Sequence, residues 1–289
     1  MSIVSSRGFI GRIFRVGNAV RACALFAAFG AAVASGAANA AAGQCIAHSP
    51  AHRVALVELY SSEGCDSCPP ADRWLSQWKE GGAAQGVVPL ALHVDYWNSL
   101  GWTDRFSQHR FTERQQSLTD LAGGHTIYTP EVFVAGRELR SWSSADSFGD
   151  RVRRIVGEPA AADVSVALAP HAGGAANAVD VDAQFASRGL NASASTPLNA
   201  YIAVYENALV SQVRAGENSG ATLHHERVVR QWIGPVPLAD GHAQIRRALA
   251  LDDPGAAAPV PAGHFGVVAF VENAATGDVL QAADLPACQ

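Results

Sequence analysis

Hydrophobic positions in this chain come in three regimes: one N-terminal block, then solid runs, then alternation. The block is Ala22 to Val33. Two solid runs follow, Val54 to Tyr60 (interrupted by Glu58) and Val87 to Val94, and each reads as a strand buried on both faces. Between them, Cys68 to Lys79 reads as a helix with Trp74, Leu75 and Trp78 on its apolar face. From Thr103 to Leu121 the spacing of Phe106, Phe111 and Leu118 is again helical, with Thr103 or Asp104 as cap and Gly123-Gly124 closing it. Tyr128 to Trp142 reads as a strand opened by Pro130 and a hairpin turning at Gly136, before a helix capped by Ser143 or Ser144 that runs to about Val156. Beyond Pro159 the pattern alternates in short runs. Residues 163–169, 179–185, 198–205, 223–233, 245–251 and 266–271 read as strands separated by Gly- and Pro-bearing turns, the pattern of an antiparallel sandwich.

The first block has a separate meaning. Arg7, Arg12, Arg15 and Arg21 precede or enter it without any acidic residue, and Ala38-Asn39-Ala40 offers a small-x-small cleavage pattern. Residues 1–40 therefore read as a signal peptide cleaved after Ala40, and neither Cys23 nor Cys45 follows a lipobox. The mature protein is expected to be periplasmic or secreted, with no membrane span after cleavage. Its balance moves from −5 to −9, since the segment carries four Arg and no acid. That acidity argues against nucleic acid and anionic membrane surfaces as partners. The remaining length suits two domains, 41–158 and 159–289.

Export also bears on the cysteines. Four remain after cleavage in an oxidising compartment, and parity pairs Cys65 with Cys68 and Cys45 with Cys288. Cys65-Asp66-Ser67-Cys68 sits between a buried strand and a helix whose first residues include Pro69 and Pro70, tolerated where N–H groups have no intrahelical partner. A thiol just ahead of a helix N-terminus ionises readily, and the thiolate drives disulfide exchange. Two uses compete with redox chemistry. One is soft-metal binding by Cys65, Cys68 and His93; the other is an inert disulfide in a binding module. A zinc site finds no second Cys-x-x-Cys or Cys-x-x-His pair. His93 and Asp95 share a strand face and suggest a relay, whereas His224 and His225 cannot both point one way. No phosphate loop, nucleophile elbow or H-E-x-x-H motif is present, and no cofactor is called for.

Three strings carry a resemblance. They are Val57-Glu-Leu-Tyr-Ser-Ser-Glu-Gly-Cys-Asp-Ser-Cys-Pro-Pro-Ala-Asp72, His93-Val-Asp-Tyr-Trp-Asn-Ser-Leu-Gly-Trp102 and Tyr128-Thr-Pro-Glu-Val132. Together they resemble the secreted bacterial thioredoxin-like family catalogued as domain of unknown function 1223. The resemblance implies an α/β thioredoxin-like domain, a central mixed sheet with flanking helices, over 41–158. The alternating pattern adds an all-β sandwich-like C-terminal domain. It also implies a cis Thr129–Pro130 bond beside the cysteines, and a buried carboxylate, Glu58, placed to take the Cys68 proton. A helical insert at about 97–126 would wall the site, with Tyr96, Trp97 and Thr129 on the substrate side. Departures exist: Gly64 precedes the first cysteine where an aromatic is usual, and Asp66 between the cysteines opposes thiolate formation.

The expected function is that of an exported thiol–disulfide oxidoreductase-like protein. Cys65 attacks and Cys68 resolves, on a protein or small-molecule thiol or disulfide, with a redox partner in the exported compartment.

Overall fold

Strands dominate the described chain, because the two regimes that follow the N-terminal block are both β patterns. A computed structural model describes residues 45–80, 82–171, 178–189, 196–251 and 262–286. In chain order its elements are β1 (Cys45–His48), β2 (Ala55–Ser61), α1 (Pro69–Ser76), β3 (Val87–His93), α2 (His109–Leu121), β4 (Glu131–Val134), β5 (Arg137–Glu138) and α3 (Ala145–Val156). There follow β6 (Ala162–Pro170), β7 (Ala178–Ser187), β8 (Leu198–Glu206), β9 (Leu209–Gln212), β10 (Thr222–His225), β11 (Val228–Pro237), β12 (His242–Ala250), β13 (Phe265–Asn273) and β14 (Val279–Pro286). The expected signal peptide, residues 1–40, and Cys288 lie outside the described residues. Among the described residues no helix is long and apolar enough to cross a membrane.

The solid runs form the middle of one sheet. Every residue of β2 and β3 is buried, and the two strands pair in parallel with Ser61 beside His93. An eight-stranded mixed sheet is built around them in the order β14-β13-β8-β11-β3-β2-β4-β5. The alternating strands β6 and β7 join β1 and β12 in a four-stranded antiparallel sheet. Its inward residues, among them Val164, Val166, Ala183, Phe185, Ile245 and Leu249, pack against Ile202, Val204, Val267 and Ala269 of the large sheet.

This architecture corrects the expected fold class. The chain is mostly β, with three α-helices, and is not a helix-flanked thioredoxin-like domain followed by a separate sandwich. The reason lies at β3, which does not end a sheet. Val228 of β11 pairs with Ala91, and the Ala91 N–H donates to the Arg227 carbonyl at 2.9 Å. Arg227 pins the junction: its buried guanidinium donates to the Pro89 carbonyl and to Asp284, 2.9 Å each, and lies 3.6 Å over the Tyr205 ring. The C-terminal strands thus continue the N-terminal sheet. Arg227 also has φ 61, which splits the single strand expected over 223–233 into β10 and β11.

Hairpin β4–β5 turns as expected, at Ala135-Gly136. A Cβ on Gly136 would stand 1.8 Å from the Gly277 carbonyl oxygen, so only glycine fits against the β13–β14 turn.

Candidate functional site

The chain leaves β2 without surfacing. Ser61, Ser62, Glu63 and Cys65 are all buried, and the path is a tight one: Ser62 accepts from the Gly64 N–H through its hydroxyl and from the Cys65 N–H through its carbonyl. Cys65 and Cys68 form a disulfide with Cα atoms 5.5 Å apart, and both are 0% exposed. Asp66 and Ser67, between them, face solvent, and the Ser67 hydroxyl donates to Cys65 Sγ at 3.3 Å. Cys68 is the N-cap of α1, with Pro69 and Pro70 entering the first turn. Its carbonyl accepts from Ala71 and Asp72, the ordinary bonds of the first turn, so it is Cys68 and not Cys65 that stands at the helix N-cap.

Next to this loop lies a buried acid–imidazole network. Ser61 holds Asp72 Oδ1 at 2.8 Å, and the Glu63 N–H donates to Asp104 Oδ2 at 2.9 Å. Asp104 Oδ2 also stands 2.6 Å from His93 Nδ1. Trp102 Nε1 donates to Glu63 Oε2 at 2.7 Å. His225, from β10, stands with Nε2 3.2 Å from Glu63 Oε1 and Nδ1 3.7 Å from Asp72 Oδ2, poorly aligned for hydrogen bonds but close as charges. Its ring meets those of His93 and Phe106 edge-on at 5.0 and 5.7 Å.

The electrostatics follow from burial and neighbours. Burial drives the His93 imidazole down, but the Asp104 carboxylate outweighs it and the pKa stands at about 9. Burial pushes Asp104 up, and His93 more than reverses this, holding it below the usual aspartate range. Burial likewise opposes ionisation of Glu63, yet the His225 imidazole brings it below the ordinary glutamate range. Burial wins at Asp72, which stays raised despite His225 and His93.

The other expected site residues fall into two groups. Thr129–Pro130 is a cis peptide bond. The Trp97 indole donates to Thr129 Oγ1 at 2.8 Å, and its Cβ would lie 3.1 Å from a Cβ on Gly64. Trp97 therefore spans from the residue before Cys65 to the residue before Pro130. The absence of a side chain at Gly64 is what lets Trp97 approach this closely. Tyr96 donates to Gln115 at 3.4 Å, and burial pushes its hydroxyl up to about 12. Gln115 in turn donates to Glu131 at 2.6 Å, a buried carboxylate raised to about 7 by burial.

Glu58 is elsewhere. Its oxygens accept from Arg114 at 2.6 and 3.2 Å, and Arg114 also holds Glu272 at 2.8 Å. Trp232, Tyr201 and Phe270 box the same guanidinium at 4.8–5.5 Å. Both Glu58 oxygens are committed to this pair, and the raised carboxylate on the α1 side is Asp72. The His93–Asp95 relay also dissolves, because Asp95 accepts from Thr112 at 2.6 Å and meets His109 at 3.0 Å while His93 turns to Asp104. Among the described residues no group of three or more His, Cys, Asp or Glu side chains is arranged to hold a metal ion. Cys45 is disulfide-bonded; its expected partner Cys288 lies outside the described residues.

The loop joining β9 to β10 completes the site. Asn218 Nδ2 donates to the carbonyls of Glu63 and Cys65 at 2.9 and 2.8 Å, and Glu217 accepts from the Asp66 N–H at 3.1 Å. In the sequence this stretch is only a connection between the runs at 198–205 and 223–233, and its period and composition give it no role.

Residues 56–271 match the family model described as "Protein of unknown function (DUF1223)". The chain belongs to that family. The match starts in β2 and ends in β13, so it takes in the cysteine loop, the cis proline, the acid–imidazole network and the β9–β10 loop together. Two solved structures share the fold of this family member. Protein AGR_C_4864 from Agrobacterium tumefaciens is 24% identical, with 82% of this chain and 96% of that one covered at a TM-score of 0.57. HBP35 of Porphyromonas gingivalis is 16% identical, with 83% and 76% covered at a TM-score of 0.59. No curated protein matches the chain.

Proposed function

We propose that this family member is an exported thiol–disulfide exchange protein working through Cys65 and Cys68. The observation that carries the proposal is the buried network of Glu63, Asp72, Asp104, His93 and His225 flanking the disulfide. Burying five ionisable groups is costly, and a structural disulfide needs none of them. In the exchange, an incoming thiolate attacks Cys65 Sγ and forms a mixed disulfide. The Cys65–Cys68 bond breaks, and its electron pair leaves on Cys68, whose thiolate then takes a proton. A second thiol of the same partner attacks the mixed disulfide and leaves oxidised, with Cys65 and Cys68 reduced; the reverse sequence oxidises them. Asp72 suits the proton transfer at Cys68: it lies one turn along α1, its N–H bonds the Cys68 carbonyl at 3.1 Å, and burial raises its carboxyl above the ordinary aspartate range.

The second reading, a binding module with an inert disulfide, is favoured by one fact: neither cysteine is exposed. Equilibration of the native protein with dithiothreitol and with glutathione buffers, read by thiol alkylation, separates the two. A reversible two-electron transition that is lost in Cys65→Ser supports exchange. A disulfide that dithiothreitol reduces only once the protein is unfolded sinks it.

A further inference from the structure

The segment between β9 and β10 is a closed loop with its own bonds. The Val213 N–H donates to the Ala221 carbonyl at 3.0 Å, the Gly220 N–H to Val213 at 2.8 Å and the Ala221 N–H to Asn218 at 3.0 Å. It leans on the aromatic wall at Gly216, where an added Cβ would stand 3.3 Å from Trp102 Cβ. Its polar contacts with the cysteine loop are all to main chain: the Glu63 carbonyl, the Cys65 carbonyl and the Asp66 N–H. The two groups supplying them are a side-chain carboxamide, which donates, and a carboxylate oxygen, which accepts. An N–H donor and an oxygen acceptor side by side are what one residue of an extended polypeptide presents. Beneath this cover both cysteines are fully buried.

We infer that residues 213–221 act as an internal stand-in for a polypeptide substrate, holding the main-chain groups of the cysteine loop until an extended, cysteine-bearing segment replaces Asn218 and Glu217. This rests on the thiol–disulfide reading and adds its substrate class. A polypeptide restores the lost main-chain bonds as it displaces the loop. A small thiol without amide groups, such as 2-mercaptoethanol, reaches the sulfurs only after those bonds break unreplaced. The loop therefore selects polypeptide thiols over small ones.

The test uses the mature full-length protein, oxidised, in the wild type and in Asn218→Ala. Reduction of Cys65–Cys68 is followed by alkylation under 2-mercaptoethanol and under an unstructured linear peptide with a central cysteine, at matched thiolate concentration. Wild type should react with the peptide about tenfold faster or more. Asn218→Ala removes two hydrogen bonds, and its reaction with 2-mercaptoethanol should rise by about tenfold, narrowing the peptide's advantage. Glu217→Ala, which loses one exposed contact, should shift both in the same direction by less, and serves if Asn218→Ala fails to fold. If the folded variants react as the wild type does, the loop is not a cover and the inference falls while the exchange reading stands. If 2-mercaptoethanol and peptide react equally fast in wild type, the substrate class is wrong. If no thiol, dithiothreitol included, reduces wild type or variants while folded, the exchange reading itself has failed and takes the inference with it.

Discussion

His225 and Glu63 stand 3.2 Å apart, both fully withdrawn from solvent, although one belongs to β10 and the other to the loop before Cys65. The contact makes the cysteine loop depend on a strand far along the chain. Replacing His225 by Ala leaves a cavity and sets Glu63 and Asp72 against each other with no imidazole between them. We expect a loss of about 2–4 kcal/mol in urea unfolding, from cavity and uncompensated carboxylates together. A loss under about 0.5 kcal/mol, the range of a surface substitution, would show that the network does not need this residue.

The His93–Asp104 pair gives the fold a pH signature. The folded His93 pKa of about 9 lies above the ordinary value of 6.5, so its stabilisation is complete below about pH 6.5 and is lost as pH rises through 9. The shift sets a ceiling near ~3 kcal/mol, reduced where other groups titrate with it. Asp104, held low, adds the opposite flank: its contribution is present above the unfolded carboxylate value and is lost as pH falls through the folded one. Both flanks describe one ion pair and are counted once. Unfolding midpoints measured from pH 6 to 10 should fall steadily in wild type and flatten in Asp104→Asn. An unchanged slope in the variant would place the titration elsewhere.

Arg114 neutralises two buried carboxylates at once, from β2 and β13. Arg114→Met should cost about 3–5 kcal/mol, because Glu58 and Glu272 are left buried and facing each other. The triple change Arg114→Met, Glu58→Gln, Glu272→Gln should recover a large part of that loss. A triple variant no more stable than the single one would mean that the aromatic box, rather than the charge, is what Arg114 supplies.

Much of this molecule was legible in the sequence. The solid runs at Val54 and Val87 became adjacent parallel strands, the Gly136 turn formed, and the alternating runs after residue 159 became strands. Period and turn chemistry are local, and a single sequence carries them. What failed was non-local. Nothing in β3 says that β11 will pair beside it, since a doubly buried strand reads the same at the centre of one sheet or another. Glu58 illustrates the same limit: its position on β2 fits an acid near the cysteines, but its face of the sheet carries Arg114 across from it. His225 was weighed only with His224 as a pair. Alternation does place the two on opposite faces, and the buried one meets Glu63, Asp72 and His93.

The redox poise of the cysteine pair follows from the charges around Cys65. Sequence reasoning set a helix N-terminus that favours the thiolate against Asp66, which opposes it. The structure moves the balance further toward the acids. Cys68 is the N-cap of α1 and Cys65 stands 3 residues ahead of it, so the helix offers Cys65 less than its place in the motif suggests. Glu63 is ionised and buried two residues before Cys65, Asp66 follows it, and Glu217 sits on the Asp66 N–H. Each opposes a thiolate, by about 1 kcal/mol at 4 Å in water-like surroundings and by more where solvent is excluded. A destabilised thiolate makes the reduced form less favourable, so the pair should sit toward roughly −270 mV, a reductant's value, rather than toward the roughly −120 mV of strong oxidants. Asp66 is exposed, so Asp66→Asn should raise the potential modestly, by about 10–20 mV, the equivalent of roughly half to one kcal/mol for two electrons. That shift should shrink at 1 M salt, where screening reaches only about 3 Å. Glutathione equilibration of wild type and variant at low and high salt reads all three quantities. A wild-type potential near the oxidising end, or a substitution that lowers the potential, would overturn the electrostatic account of the pair.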